Sequence, residues 1–147
     1  MPRHGTFRYD VRARCAADDA VRLLSDFSRH DELHPLIVKV EPLPPGRGAL
    51  RSYAITDRLR WGPFTFPITY TADVLTANAD DVMTVARQKP RTTVHNHTRL
   101  STADDGQLLI DVEITLTAPT PLFPYAFRQA RTAHRALAVR LRSALST

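Results

Sequence analysis

The chain of 147 residues has a single cysteine, two lysines and no long apolar run. With Cys15 alone, no internal disulfide can form, which suits a reducing compartment. Its flanks are ordinary, so the expectation is a buried or half-buried thiol, not a nucleophile. No apolar stretch approaches the roughly 20 residues that a spanning helix needs, so stable membrane insertion is not expected. Met1-Pro2-Arg3-His4-Gly5 leads directly into a polar-alternating segment with no apolar signal core, and the expected location is cytoplasmic. Fixed-period repeats and low-complexity segments are absent. Gly46-Arg47-Gly48 is too short and too poorly placed to be a phosphate loop, and no Ser-His-Asp or Cys-His arrangement supports nucleophilic catalysis. No cofactor is expected.

The basic residues, apart from Lys39 and Lys89, are arginines, and the net charge of +5 is spread thinly. Arg128, Arg131, Arg135 and Arg142 recur at helical spacing opposite an apolar stripe, as a solvated helix face would. The interleaved aromatic and basic surface used by single-strand binders is missing, so no nucleic-acid partner is expected. The 43% hydrophobic content suits one globular domain spanning residues 1–147, long enough to bury roughly two-thirds of its unfolded surface.

Residues Thr6 to Cys15 alternate as a first strand. Asp18 and Asp19 open a short helix carrying Ala20, Val21, Leu24 and Phe27. Ser28-Arg29-His30-Asp31 has the form of a capping box and opens a second short helix that Pro35 stops. Ile37 to Leu43 is a second strand, followed by a proline- and glycine-rich loop. Five further strands are expected at about Leu50–Leu59, Phe64–Leu75, Asp81–Gln88, Thr92–Ser101 and Gln107–Ala118, joined by turn-forming residues. Pro124 suits the first position of a long helix to Ser146, with Phe127, Ala130, His134, Leu137, Leu141 and Leu145 on one face.

This order, with Leu33-His34-Pro35 ending the helix pair and Asp111-Val112-Glu113-Ile114 running into Ala118-Pro119, resembles the START-like (SRPBCC) superfamily. Gln129-Ala130 and Ala133-His134-Arg135 in the last helix add to the likeness, which is closest to the bacterial polyketide cyclase/dehydrase and lipid-transport group. The resemblance implies an α+β helix-grip fold: a seven-stranded antiparallel curved sheet around a long C-terminal helix, with two short helices after the first strand. It also implies a hydrophobic small-molecule ligand held between sheet and helix. Some such proteins are aromatase/cyclases, and others carry or sense a ligand.

Strand parity gives a first map of the pocket, because alternate side chains point to opposite faces. Leu108, Ile110, Val112, Ile114 and Leu116 form one apolar face, and Phe64, Phe66, Ile68, Tyr70, Ala72 and Val74 another. Pairing across the turn at Trp61-Gly62-Pro63 puts Tyr53, Ile55 and Asp57 inside, and pairing across the next turn adds Met83, Val85 and Arg87. A two-residue turn at Asp105-Gly106 would point His95, His97 and Arg99 inward. A three-residue loop would instead send Val94, Asn96 and Thr98 inward; the first arrangement is the working expectation.

The expected catalytic candidates for a cyclase-type reaction are therefore His95, His97 and His134 as proton shuttles, with Arg87 holding an oxyanion. Expected ligand contacts are Tyr53, Asp57, Trp61, Phe66, Ile68, Tyr70, Met83, Arg99, Ile114, Phe127 and Ala130. Asp57 would equally suit a structural ion pair with Arg87 or Arg99, and His134 a hydrogen bond to the sheet. His95 and His97 have the spacing of two metal ligands on a strand, with His134 as a third, but no metal is expected. Trp61, at a hairpin tip, would serve as lid, partner contact, membrane wedge or rim plug. Ligand binding without catalysis is the first expectation, and an aromatase/cyclase acting on a polyketide intermediate the alternative.

Overall fold

The computed structural model describes residues 2–33, 37–61, 63–78, 80–89 and 91–145; side chains at 31, 32, 59–61 and 66 also lie outside the description. The elements run β1 (Pro2–Ala13), α1 (Ala17–Ser25), a 3-10 helix (Phe27–Glu32), β2 (Ile37–Leu43), β3 (Arg51–Trp61), β4 (Phe64–Ala77), β5 (Asp81–Gln88), β6 (Thr92–Thr102), β7 (Leu108–Pro119) and α2 (Phe123–Leu145). The strands form one antiparallel sheet of seven, in the order β1-β7-β6-β5-β4-β3-β2. From β2 onward each strand pairs with its successor, while β1 pairs with β7 along its whole length, from Pro2 opposite Pro119 to Ala13 opposite Leu108.

Alternation in β7 is close to ideal. Leu108, Ile110, Val112, Ile114, Leu116 and Ala118 are buried, and Asp111 is exposed. Each large aliphatic taken out of water here contributes roughly 1.5–3 kcal/mol. α2 packs across β1 and β7 through the stripe of Leu137, Leu141 and Leu145, while its arginines face solvent. Its first turn comes close to β1 because residue 5 is glycine: a Cβ there would lie 2.5 Å from the Phe123 ring and 2.9 Å from Phe127. The helix begins at Phe123, one residue before the expected proline start.

α1 carries Asp18 and Asp19 in its first turn, where carboxylates complement the helix dipole, and buries Ala20 and Leu23. Ser28, expected to open a capping box, is not the cap residue. Asp26 is the cap instead, accepting from the Ser28 amide at 3.1 Å and also bonded to the Ser28 hydroxyl, and the segment it caps is a 3-10 helix. The expected stop at Pro35 lies outside the described residues.

Two strand faces differ from the parity map, each for a local reason. In β4 a bulge between Val74 and Thr76 shifts the pairing by one residue, so Val74 meets Thr84 and Ala72 meets Ala86. Val82, Thr84 and Ala86 thereby turn inward, and Met83, Val85 and Arg87 turn outward. Between β6 and β7, Ala103 and Gln107 close a three-residue loop in which Gly106 takes φ +84°, a left-handed conformation that glycine adopts without cost. This reverses the working expectation: His95 lies opposite Thr115 and His97 opposite Glu113 on the outer face, whereas Asn96 pairs with Ile114 and Thr98 with Val112 inside.

Candidate functional site: a cavity between the sheet and the last helix

α2 covers β1 and β7, whereas α1 reaches β4 and β5 and the 3-10 helix reaches β2. Between them remains a cavity of about 350 Å³, within the range typical of small-molecule sites. Ile68, Tyr70 and Ala72 of β4, Val94, Asn96 and Thr98 of β6, and Ala130, His134 and Leu137 of α2 are on its wall, with Leu24, Phe27 and His30 at the α1 end. Leu122 and Tyr125, both exposed, and Lys89 also border it.

Two polar pairs line this apolar space. On β3 and β4, the Tyr70 hydroxyl donates to Asp57 Oδ1 at 3.4 Å, a long and weak bond. Removal from water raises the Asp57 carboxyl to a pKa of about 6, against a smaller lowering by the Tyr70 bond. Burial pushes the Tyr70 hydroxyl upward as well, reinforced by the Asp57 charge. Between β1 and α2, the Tyr9 hydroxyl and His134 Nδ1 are hydrogen-bonded at 2.7 Å, and burial raises the Tyr9 pKa. His30 Nε2 donates to the Leu23 carbonyl at 2.8 Å, which fixes its ring against Phe27. On β6, the Thr98 hydroxyl donates to the Asn96 side-chain oxygen at 2.7 Å.

Of the residues singled out from sequence, Asp57, Ile68, Tyr70, Ala130 and His134 come together on this wall. Tyr53, Ile114 and Phe127 are on the inner side but are core, not lining. Tyr53 packs edge-on against Phe27, and Ile114 is wholly buried. Phe127 stacks on Phe123 and meets Phe7 edge-on, drawn to β1 by the close approach at Gly5. The β4 bulge and the β6–β7 loop carry Arg87, Met83, His95, His97 and Arg99 to the outer face. There Arg87 pairs with Asp73, and His97 Nε2 lies 2.6 Å from Asp81. Neither Arg87 nor Arg99 pairs with Asp57, and a metal site joining His95 and His97 to His134 is ruled out because the sheet separates them. The side chains of Trp61 and Phe66 lie outside the description; their backbones pair with Phe64 and Leu59. Cys15 is half-buried, and burial followed by the Asp19 charge raises its thiol pKa, the setting of an unreactive cysteine.

Tyr9 and His30 are cavity residues that sequence reasoning passed over. Tyr9 was accessible to parity, since it alternates with Phe7 and Val11 and pairs with Val112. His30 carried no such signal, because its position depends on how the 3-10 helix packs.

Solved structures share this architecture of a curved sheet gripping a helix around an apolar cavity. No protein-family model matches the sequence, and no curated protein matches it. The di-domain aromatase/cyclase StfQ of the steffimycin biosynthetic pathway aligns over 97% of this chain with a TM-score of 0.75 and 15% identity; the chain spans 50% of that protein. A START superfamily protein from Mycobacterium smegmatis aligns over 97% of both chains with a TM-score of 0.74 and 15% identity. Norcoclaurine synthase from Thalictrum flavum aligns over 97% of this chain and 86% of its own, with a TM-score of 0.68 and 11% identity. The chain has the START-like, helix-grip fold. Among the described residues, no helix is long and apolar enough to cross a membrane.

Proposed function

We propose that residues 1–147 act as one ligand-binding domain that encloses a hydrophobic small molecule between the sheet and α2. The observation that carries this reading is the cavity of about 350 Å³ with its largely aliphatic and aromatic wall. A neutral fluorescent probe such as N-phenyl-1-naphthylamine tests it. The native protein should take up the probe, and Ala130→Trp, which fills the cavity from α2, should weaken uptake at least about tenfold while keeping a cooperative unfolding transition. Equal uptake by the two proteins would place the probe elsewhere and count against the cavity. Native mass spectrometry of protein from its own host would then identify the occupant, whether polyketide-like, lipid or another apolar metabolite.

A second reading, acid–base cyclisation or dehydration of a polyketide intermediate, draws on Asp57. A carboxyl with a pKa of about 6 beside a tyrosine hydroxyl exchanges protons near neutrality, as a general base or acid must. Here Asp57 and Tyr70 take over the roles expected of His95, His97 and Arg87, while the His134–Tyr9 pair stays within the cavity as a second proton-carrying group. Turnover of a poly-β-ketone substrate should fall about 100-fold or more in kcat for Asp57→Asn, with KM little changed. Binding of that substrate without turnover by the native protein would leave the chain a carrier.

A further inference from the structure

The charged groups of the sheet are divided unequally between its faces. On the outer face Asp73 is paired with Arg87, Asp81 with His97 and Glu113 with Arg8. Asp57, turned inward by β3, has no arginine, lysine or histidine in ion-pair contact among the described residues. Its partner there is the distant Tyr70 hydroxyl. Among the described residues no arginine lines the cavity, and Lys89, which does, is exposed. An ionised carboxylate against an apolar wall is costly unless a positive charge comes to it, and among the described residues none does.

From this geometry we infer that the cavity selects apolar molecules bearing a protonated amine, seated with the nitrogen against Asp57 and the Tyr70 oxygen. The inference rests on the cavity reading above and sharpens it to a ligand class. A ligand ending in a carboxylate or phosphate would meet Asp57 as a like charge with no cavity arginine to offset it. A neutral alcohol would gain a hydrogen bond but leave the carboxylate charge uncompensated. An amine supplies both the charge and the donors.

Three probes of one shape separate these cases: 4-phenylbutylamine, 4-phenyl-1-butanol and 4-phenylbutanoate, titrated calorimetrically at pH 8 and pH 5. The amine should bind at least about tenfold more tightly than the alcohol at pH 8, and the carboxylate most weakly. Its affinity should fall about tenfold at pH 5, where a carboxyl with a pKa of about 6 is ionised in roughly one molecule in ten, while the alcohol changes little. His30, His134, Lys89, Tyr9 and Tyr125 also line the cavity, so the series is repeated on Asp57→Asn, or on Asp57→Ser if the amide variant does not fold. Either variant should bring the amine down to the alcohol's affinity and abolish its pH dependence. Equal binding of amine and alcohol by the native protein overturns the inference and leaves the cavity reading standing, as does an amine preference that survives in the variants. Binding of none of the three overturns both.

Discussion

The two faces of the sheet are made by the same strands, residue by residue, yet they treat charge in opposite ways. Outside, Asp73 accepts from Arg87 and from the Ser52 hydroxyl at 2.7 Å, and Ser52 in turn accepts from the Gly46 amide at 2.9 Å. This chain of bonds ties the loop after β2 to the sheet. Inside, Asp57 stands in an apolar wall with one long hydrogen bond. A charged residue on a strand is therefore a matter of stability on one face and a potential binding group on the other. The histidines divide likewise: His97 on the outer face is part of a surface pair, whereas His134 of α2 is bonded to Tyr9 at the cavity wall.

The sharpest break of this contrast comes from neighbours in β7. Ile114→Ala removes a fully buried side chain and should cost about 3 kcal/mol in urea unfolding. Glu113→Ala, one residue away, removes a partner of the exposed Arg8 and should cost less than about 1 kcal/mol. Similar losses at the two positions would mean that β7 does not divide inside from outside as described.

Next in size, the two aspartates should respond with opposite signs. Asp73→Ala leaves Ser52 and Arg87 without their acceptor and should destabilise the protein by about 1–2 kcal/mol. Asp57→Asn should stabilise it by about 1 kcal/mol at pH 8, a figure discounted for the partial exposure of the carboxyl. The sign comes from linkage: the folded-state pKa of about 6 lies above the ordinary value of 3.8, so the folded state holds the proton more tightly. The carboxyl imposes no penalty below its unfolded pKa, and stability is lost as pH rises through about 6. The gain from Asp57→Asn should vanish at pH 4, and urea midpoints at the two pH values check it. Destabilisation at pH 8 would show that Asp57 is held by the fold and is not waiting for a ligand.

The smallest effect distinguishes the histidines. His97→Ala should change stability by less than about 0.5 kcal/mol and leave probe binding unaltered. His134→Ala should weaken probe binding several-fold, because it exposes the Tyr9 hydroxyl without its partner. A binding defect in His97→Ala would require the outer face to contribute to the site.

Much of this architecture was legible from residues alone. The alternation of Leu108 through Leu116, the stripe of Leu137, Leu141 and Leu145, and the inward set of Asp57, Ile68 and Tyr70 all come from local periodicity and from one tight hairpin. The faces of β5 and β6 were not legible, because parity is inherited from strand to strand and one unpaired residue reverses it. The bulge between Val74 and Thr76 did so for Met83 and Arg87, and the loop before Gln107 did so for His95, His97 and Arg99.

Side-chain period, turn residues and the apolar stripe of α2 are properties of short segments, so the element order, the helix-grip architecture and most of the core could be read along the chain. The composition of the cavity could not. Whether Asn96 or His97 faces it, whether Asp57 finds an arginine, and where His30 and Tyr9 come to rest depend on registers and packing angles between segments far apart in sequence. Those are settled by the balance of pairing and burial across the whole sheet, which no local pattern encodes.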